Sequence, residues 1–277
     1  MKPIRPTVQP GWPVFLALAL CVGIAPAAHA GRNCDGSKAS IQNVQRGLTL
    51  AEKTLASLNA SGQNVVILAR AGQDLSKYSL QYSHLGFAYR QTGDAGTKGT
   101  WRVLHKLNDC GTSASAIYRQ GLGEFFMDDM WRYEAAWLPL TPAAQDRLLA
   151  VIQNPSLVTR LHHKPYSMVS YAWGQKYQQS NQWAIETLAE ALGPDVTSRQ
   201  QAQAWLQASG YVPTMLKIGP LTRLGGRVNA ANIAFDDHPN EKRFSNRIET
   251  VTVDSVFSWL QRAQISPPGK LPMAVKL

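Results

Sequence analysis

The sequence lacks the motifs that identify most nucleotide-binding and zinc proteins. It contains no Walker-type phosphate loop, no dinucleotide-binding fingerprint and no paired zinc motif. It also has no internal repeat, no low-complexity tract, and neither an Arg-rich helix nor a basic–aromatic alternation typical of nucleic-acid binding. We therefore predict no cofactor, no metal and no nucleic-acid partner.

Long hydrophobic segments are absent beyond the N-terminus. Lys2 and Arg5 precede an apolar run at residues 14–25, and Ala28-His29-Ala30 follows it. This pattern is typical of a secretory signal peptide, here residues 1–30, cleaved after Ala30. The run is shorter than a membrane span, although an uncleaved anchor is the alternative. We predict an exported protein, periplasmic or secreted, with no integral membrane segment in the mature chain.

Cysteine is scarce, with three residues in the whole chain. Cys21 lies in the predicted signal peptide, which leaves Cys34 and Cys110. In an oxidising compartment two cysteines indicate one disulfide, worth about 4 kcal/mol by loop-closure entropy. The alternative is a catalytic cysteine, but neither residue begins a convincing helix beside a base.

In its other residue types the chain has the composition of an ordinary globular protein. Length predicts a single domain over residues 31–265. A proline-containing tail without regular structure is expected at residues 266–277. Loss of Lys2 and Arg5 with the signal lowers the formal charge from +10 to +8. A basic surface suits anionic partners such as lipid head groups or wall polymers.

Hydrophobic periodicity predicts alternating helices and strands. Helices are predicted at residues 37–58, 141–152, 181–192, 197–209 and 254–262. Strands are predicted at residues 65–69, 82–90, 101–107, 166–172 and 248–253. Residues 121–126 and 130–138 are expected to be partly extended, residues 219–232 to form a loop, and residues 235–246 to lie on the surface.

The strand at residues 82–90 combines a histidine with a glycine. Side chains alternate across a strand, so His84 and Gly86 lie on the same face. A glycine within a strand often marks the close approach of a ligand or of another backbone. His84 is therefore a candidate general base, and the alternative is a half-buried, hydrogen-bonded histidine without a chemical role.

The next predicted strand carries a second histidine, His105, with Asn108 just beyond it. A hairpin loop at residues 92–100 would place His105 near His84, although the register cannot be fixed from sequence. A polar neighbour that orients a catalytic imidazole is a recurring requirement of base catalysis. The alternative is two unrelated strand histidines.

Ser180 stands at the start of the predicted helix at residues 181–192. Serine is among the preferred N-cap residues, so a capping role alone explains it. A nucleophile at this position would instead gain from the helix dipole and from free backbone N–H groups, which can form an oxyanion hole.

Two short clusters contain residue types that bind metals. Asp128 and Asp129 are adjacent, and we interpret them as part of a turn. His162 and His163 have no third ligand at a suitable spacing, so neither pair predicts a metal site.

The order of these segments resembles a known superfamily. A Gly72-Gln73-Asp74 turn precedes the Ser-His-Leu-Gly segment at residues 83–86, and a late helix begins with Ser-Asn-Gln-Trp at residues 180–183. This order resembles the circularly permuted branch of the NlpC-type papain-like superfamily. More closely, residues 33–260 resemble the bacterial exported proteins grouped as domain-of-unknown-function family 2145.

The resemblance implies a permuted papain-like α/β (α+β) fold, with an antiparallel sheet packed against helices. It implies His84 as the base and His105 as the orienting group, with Asn108 as the alternative. The superfamily includes cell-wall peptide hydrolases and lipid-acting amidases or acyltransferases. Its active members have cysteine where this chain has Ser180, so the chemistry is either serine-based or absent.

Three functional hypotheses follow. The first is a Ser180–His84 hydrolase or acyltransferase acting on an amide or ester of a cell-wall or lipid fragment. Backbone N–H groups of residues 180–182, including that of Asn181, would meet the oxyanion, and Gln73 or Tyr82 would assist. The second is a catalytically inactive papain-like binding module, and the third is a structural or assembly factor. The substrate and the oligomeric state do not follow from the sequence.

Overall fold

The computed structural model describes residues 40–91, 99–127 and 130–277 of the protein. Its strands are β1 (Val65–Arg70), β2 (His84–Gln91), β3 (Thr100–Asn108), β4 (Ser115–Gly121), β5 (Glu134–Pro139), β6 (Thr214–Lys217), β7 (Arg247–Thr250) and β8 (Met273–Lys276). Its α-helices are α1 (Ile41–Ala60), α2 (Leu122–Phe126), α3 (Pro142–Ile152), α4 (Pro155–Arg160), α5 (Ser180–Leu192), α6 (Arg199–Ala208), α7 (Pro220–Asn229), α8 (Asn240–Phe244) and α9 (Val253–Arg262).

Six of these strands form one sheet in the order β4-β3-β2-β1-β5-β8. Every neighbouring pair is antiparallel. The prediction of a mixed α/β protein with an antiparallel sheet packed against helices is confirmed. The β1–β2 register places Arg70 opposite His84, so a cation stands beside the candidate base.

The two faces of the sheet are covered by different helices. Leu85 and Phe87 of β2 face a core that includes residues of α3, α5, α6 and α9. Ala88 faces a second core that includes residues of α1 and α2. Because side chains alternate along a strand, His84 and Gly86 lie on the same side as Ala88.

Helix α5 is buried on all sides. Every residue from Ser180 to Glu190 is buried, and Trp183 packs on Phe87 with ring centroids 5.7 Å apart. A helix buried all round is a core element, whereas the sequence predicted an amphipathic helix with one apolar face. None of the helices in the described residues is long and apolar enough to cross a bilayer.

A second, two-stranded sheet forms a small lobe. Strands β6 and β7 pair antiparallel and enclose a separate cluster formed by Leu216, Ile218, Phe235 and Ile248. Helices α7 and α8 lie in the chain segment between these strands. Tyr78, Leu80 and Val169, which come from segments outside the lobe, pack against its cluster.

Two predictions of irregular structure were wrong. Residues 219–232 contain helix α7, which begins with Pro220 in a position where its missing N–H costs nothing. The expected tail at residues 266–277 contains β8, which pairs with β5 at the edge of the main sheet. The prolines precede Met273, so they leave residues 273–276 free to donate to a ladder.

The strand predicted at residues 166–172 does not form. Backbone and side-chain groups of this segment instead form hydrogen bonds with the loop at residues 232–237. Ser167 Oγ donates to the Ala234 carbonyl, and the Tyr171 N–H donates to Asp237 Oδ2. Apolar periodicity cannot distinguish such a cross-linked buried turn from a strand.

Candidate active site

His84 and His105 are joined by a hydrogen bond. Nε2 of His84 lies 2.8 Å from Nδ1 of His105, and the ring planes stand at 74°. His84 is the first residue of β2 and is partly exposed, whereas His105 lies inside β3 and is fully buried. The predicted adjacency of the two histidines is therefore confirmed.

Gln120 of β4 extends the pair into a chain of three side chains. Nε2 of His105 lies 2.8 Å from Oε1 of Gln120. An amide oxygen only accepts, so His105 Nε2 carries a proton, and neutral His105 accepts at Nδ1. His84 then donates from Nε2, which leaves Nδ1 of His84 as the basic atom.

Sequence reasoning missed Gln120 as a site residue. Gln120 pairs with Val103 on β3, and its side chain lies on the same side of the sheet as His105. The only signal in the sequence was that Gln120, in β4, is polar. Only the β3–β4 register converts that residue into a partner of His105.

The surroundings of His84 favour its neutral form. Burial lowers the pKa of His84 well below 6.5, and the positive charge of Arg70 and the electrostatic effect of His105 act in the same direction. The ring centroid of His84 lies 6.0 Å from that of Phe125, and the Arg70 guanidinium stands over the same phenyl ring. A neutral imidazole is the form that a general base requires.

Ser180 is the first residue of α5 but not its N-cap, which corrects the predicted capping role. The N-cap is Gln179, whose side-chain Oε1 accepts from the backbone N–H of Asn181. Ser180 is 4% exposed, and its Oγ lies 3.4 Å from the Tyr166 hydroxyl. Among the described residues, no hydrogen bond joins Ser180 to either histidine.

Asn181 attaches the N-terminus of α5 to the strand that carries His84. Its Oδ1 accepts from the backbone N–H of Leu85 at 3.0 Å, and its Nδ2 donates to the Ser83 carbonyl at 3.3 Å. These two backbone groups flank His84 on either side. The first turn of α5 is thereby fixed to the backbone of the strand that carries His84, through a side chain that we predicted only as a supporting residue. The His84 side chain itself lies on the other face of the sheet, against Phe125.

A buried polar network holds the other side of this turn. Lys106 of β3 is fully buried and donates to Gln178 Oε1 at 2.6 Å and to the His163 carbonyl at 2.7 Å. Gln178 donates in turn to Glu186 on α5, which also accepts from Arg199. Burial and the charge of Arg199 lower the pKa of Lys106 to about 6.

The remaining predicted site residues lie away from the histidine pair. Asn108 donates to the Asp109 carbonyl at 3.5 Å and sits, by alternation, on the opposite side of β3 from His105. Tyr82 is buried and donates to Glu134 Oε1 at 3.0 Å. Burial and then this carboxylate raise the pKa of Tyr82.

Gln73 lines a cavity rather than the histidine pair. The cavity has a volume of about 290 Å³ and is bordered by the turn after β1 and by Trp131 and Arg132. The same turn is held to the start of β2, because the Gly72 N–H donates to Ser83 Oγ. The cavity is therefore lined by the segment that connects β1 to β2, and His84 is not among its lining residues.

The predicted disulfide and metal clusters fall partly outside the described residues. Cys34, Asp128 and Asp129 lie there, so the Cys34–Cys110 bridge and the Asp128–Asp129 turn stay predictions. The predicted signal peptide at residues 1–30 lies there too. Within the described ranges, no group of three or more His, Cys, Asp or Glu residues is placed to hold a metal ion.

Together, the fold and the site define a mixed α/β protein with an oriented histidine on one face of an antiparallel sheet and a buried helix on the other face. Residues 57–260 match the model of a bacterial family described as "Uncharacterized protein conserved in bacteria (DUF2145)". The chain belongs to this family. Searches of curated proteins and of solved structures found no match.

Proposed function

We propose that this protein is a serine-dependent hydrolase or acyltransferase of papain-like type that acts on an amide or ester of cell-wall or lipid material. The observation that carries the proposal is the chain His84–His105–Gln120. It leaves Nδ1 of His84 as the basic atom of the chain. The attachment by Asn181 brings the first turn of α5, with Ser180, to the same strand.

The proposed reaction requires the start of β2 to rearrange, because the His84 side chain lies on the α1/α2 face of the sheet and α5 covers the other face. His84 Nδ1 then accepts the hydroxyl proton of Ser180 while Ser180 Oγ attacks the carbonyl carbon. The developing oxyanion meets the backbone N–H groups of Ser180 and Gln182, where the helix dipole is positive, since the Asn181 N–H already donates to Gln179 Oε1. The imidazolium then protonates the leaving amine or alcohol, and an acyl-enzyme forms. Water or a second acceptor, deprotonated by His84, releases the acyl group and restores the serine.

The orienting group in this site is a histidine and not a carboxylate. His105 fixes the tautomer and the ring orientation of His84, but it supplies no negative charge to stabilise the imidazolium. The nearby Arg70 charge opposes protonation. We therefore expect a slower reaction than in a site whose orienting group is a carboxylate.

Labelling with a broad serine-reactive fluorophosphonate tests the proposal. The purified protein should be labelled at Ser180, as located by peptide mass spectrometry, and both Ser180→Ala and His84→Ala should abolish labelling. Ser245→Ala is the matched control, because the Ser245 hydroxyl lies in an exposed hydrogen bond of helix α8. Labelling that survives in Ser180→Ala would contradict the assigned nucleophile.

A second candidate function is a binding module without catalysis. It is favoured by one observation: Ser180 is 4% exposed and its hydroxyl is directed to Tyr166. In that case folded protein takes up no label, and wild type and Ser180→Ala bind soluble muropeptides or lipid vesicles with equal affinity. Loss of binding in Ser180→Ala without labelling would contradict both candidates.

We also propose that the protein acts after export, with the signal peptide removed near Ala30. The support is the basic start, the short apolar run and the small residues before the cleavage point. N-terminal sequencing of protein recovered from a bacterial periplasm should begin at Gly31. A chain that begins at Met1 in the membrane fraction would instead indicate an uncleaved anchor.

A further inference from the structure

Helix α7 presents its apolar side chains to solvent. Leu221, Leu224 and Val228 are spaced by three and four residues and share one face of the helix. Their exposed fractions are 85%, 61% and 75%. In most globular proteins such a stripe is buried in the core, and it faces outward here.

Gly226 of α7 faces the protein instead. A Cβ on Gly226 would lie 3.3 Å from the side chain of Ile233, so this glycine packs against the lobe. Arg223 reinforces the orientation by donating to the Ile218 carbonyl and to Asn246 Oδ1, both at 2.8 Å. The helix is therefore fixed with its apolar stripe outward.

Other apolar side chains of the same lobe are also exposed. Phe244, at the end of α8, is 69% exposed, and Met215 of β6 is 42% exposed. Each is in contact with an arginine: the Arg243 guanidinium stands over the Phe244 ring, and Arg247 Nε lies 3.2 Å from Met215 Sδ. Exposed apolar groups thus alternate with cations across the lobe.

The charge of this surface is unbalanced. Residues 214–250 contain six Lys and Arg against four Asp and Glu, and two of these carboxylates, Asp236 and Glu249, are paired with lysines. Lys217 and Arg247 stand directly opposite each other on β6 and β7, and both are exposed. Like charges in that position repel, and an anion between them relieves the repulsion. None of the ion pairs among the described residues includes Lys217, Arg227 or Arg247.

We infer that this lobe docks on an anionic phospholipid bilayer, with α7 lying in the interface. A helix with Leu and Val on one face and Arg at its sides has the composition of interfacial helices, whose binding combines apolar burial with attraction to anionic lipids. A second copy of the chain fits less well, because a symmetric dimer would bring the same unpaired cations face to face. The inference goes beyond the proposed acyl transfer and holds whether or not Ser180 is a nucleophile.

Vesicle flotation with the mature protein tests the inference. The protein should float with vesicles of phosphatidylglycerol and phosphatidylcholine, and not with phosphatidylcholine alone. The variant Leu221→Ser/Leu224→Ser/Val228→Ser and the variant Lys217→Gln/Arg227→Gln/Arg247→Gln should each weaken binding roughly tenfold or more. Added salt should weaken the binding of the wild type.

The control variant is Ile41→Ser/Leu271→Ser, which removes equally exposed apolar side chains elsewhere on the protein. It should bind vesicles like the wild type. Circular dichroism and thermal unfolding verify that each variant is folded, and the charge variant changes no buried residue. The inference is overturned by absent binding, by equal binding to neutral vesicles, or by full binding of the α7 variant. It is also overturned by a wild-type dimer that the α7 variant dissociates without lipid.

Discussion

A Cβ atom built on Gly86 would lie 2.9 Å from the Cβ of His105. It would also lie 3.0 Å from the Leu104 carbonyl oxygen and from Val103 Cγ1. Real Cβ atoms do not approach other atoms this closely, so the absence of a side chain at Gly86 allows β3 to bring His105 to His84. We predicted that Gly86 marks the close approach of a ligand or of another backbone, and the group that approaches is the neighbouring strand β3.

The first prediction concerns this glycine. Gly86→Ala should lower the free energy of unfolding by roughly 1–3 kcal/mol, because β3 must move away in a closely packed sheet. Urea denaturation measures the loss. Gly225→Ala is the matched control, since a Cβ at Gly225 in α7 meets nothing within 4 Å. It should leave stability unchanged or raise it by up to about 1 kcal/mol. Equal effects of the two substitutions would contradict the packing argument.

The second prediction concerns the protonation of His84. Its pKa is lowered, so the imidazole should remain neutral at pH 6.5 and become protonated only in more acidic solution. Because the unfolded chain binds the proton first, this group lowers stability as the pH falls below 6.5. Imidazole ¹⁵N NMR should show His84 protonated at Nε2 and unprotonated at Nδ1. An imidazole half-protonated at or above pH 6.5 would disprove the assignment.

The third prediction concerns Lys106. The folded pKa of about 6 is below the ordinary 10.5, so between these pH values the unfolded chain holds more protons and stability rises with pH. The advantage of wild type over Lys106→Met should grow in this window, by at most about 1.4 kcal/mol per pH unit. Denaturation across the window tests this. Lys77→Met changes an exposed lysine and should show no such trend. If the difference in unfolding free energy between wild type and Lys106→Met does not change with pH, the buried amine stays charged and the prediction is wrong.

The fourth prediction concerns Asn181. Asn181→Ala removes the acceptor of the Leu85 N–H and the donor to the Ser83 carbonyl. Buried polar groups left without partners should cost roughly 1–3 kcal/mol of stability, and hydrogen exchange at the Leu85 amide should accelerate. Asn240→Ala changes an exposed asparagine and should alter stability by less than about 0.5 kcal/mol. Unchanged exchange at Leu85 would rule out the proposed attachment of α5 to β2.

Local sequence patterns predicted those elements whose structure depends mainly on neighbouring residues in the chain. The run Val65–Arg70 is apolar enough to predict a buried strand, and Thr141-Pro142 marks the start of α3. The glycine-rich turn between the two histidine strands predicted their pairing. The family was also accessible from the sequence, because its characteristic segments around His84 and Ser180 are contiguous.

Contacts between distant residues required the tertiary structure. The pairing of His105 with Gln120 depends on the β3–β4 register, and the attachment of Asn181 to β2 joins residues almost a hundred positions apart. The outward orientation of α7 could not be predicted from the sequence either. Periodicity identifies an apolar face of a helix, but it does not show whether that face is buried or exposed. The sequence by itself determined the strands β1, β2, β3 and β7, five of the nine α-helices in the described residues, and the residue types at the site. Only the packing decided which polar groups meet, because that depends on register and on which face of the sheet each helix covers.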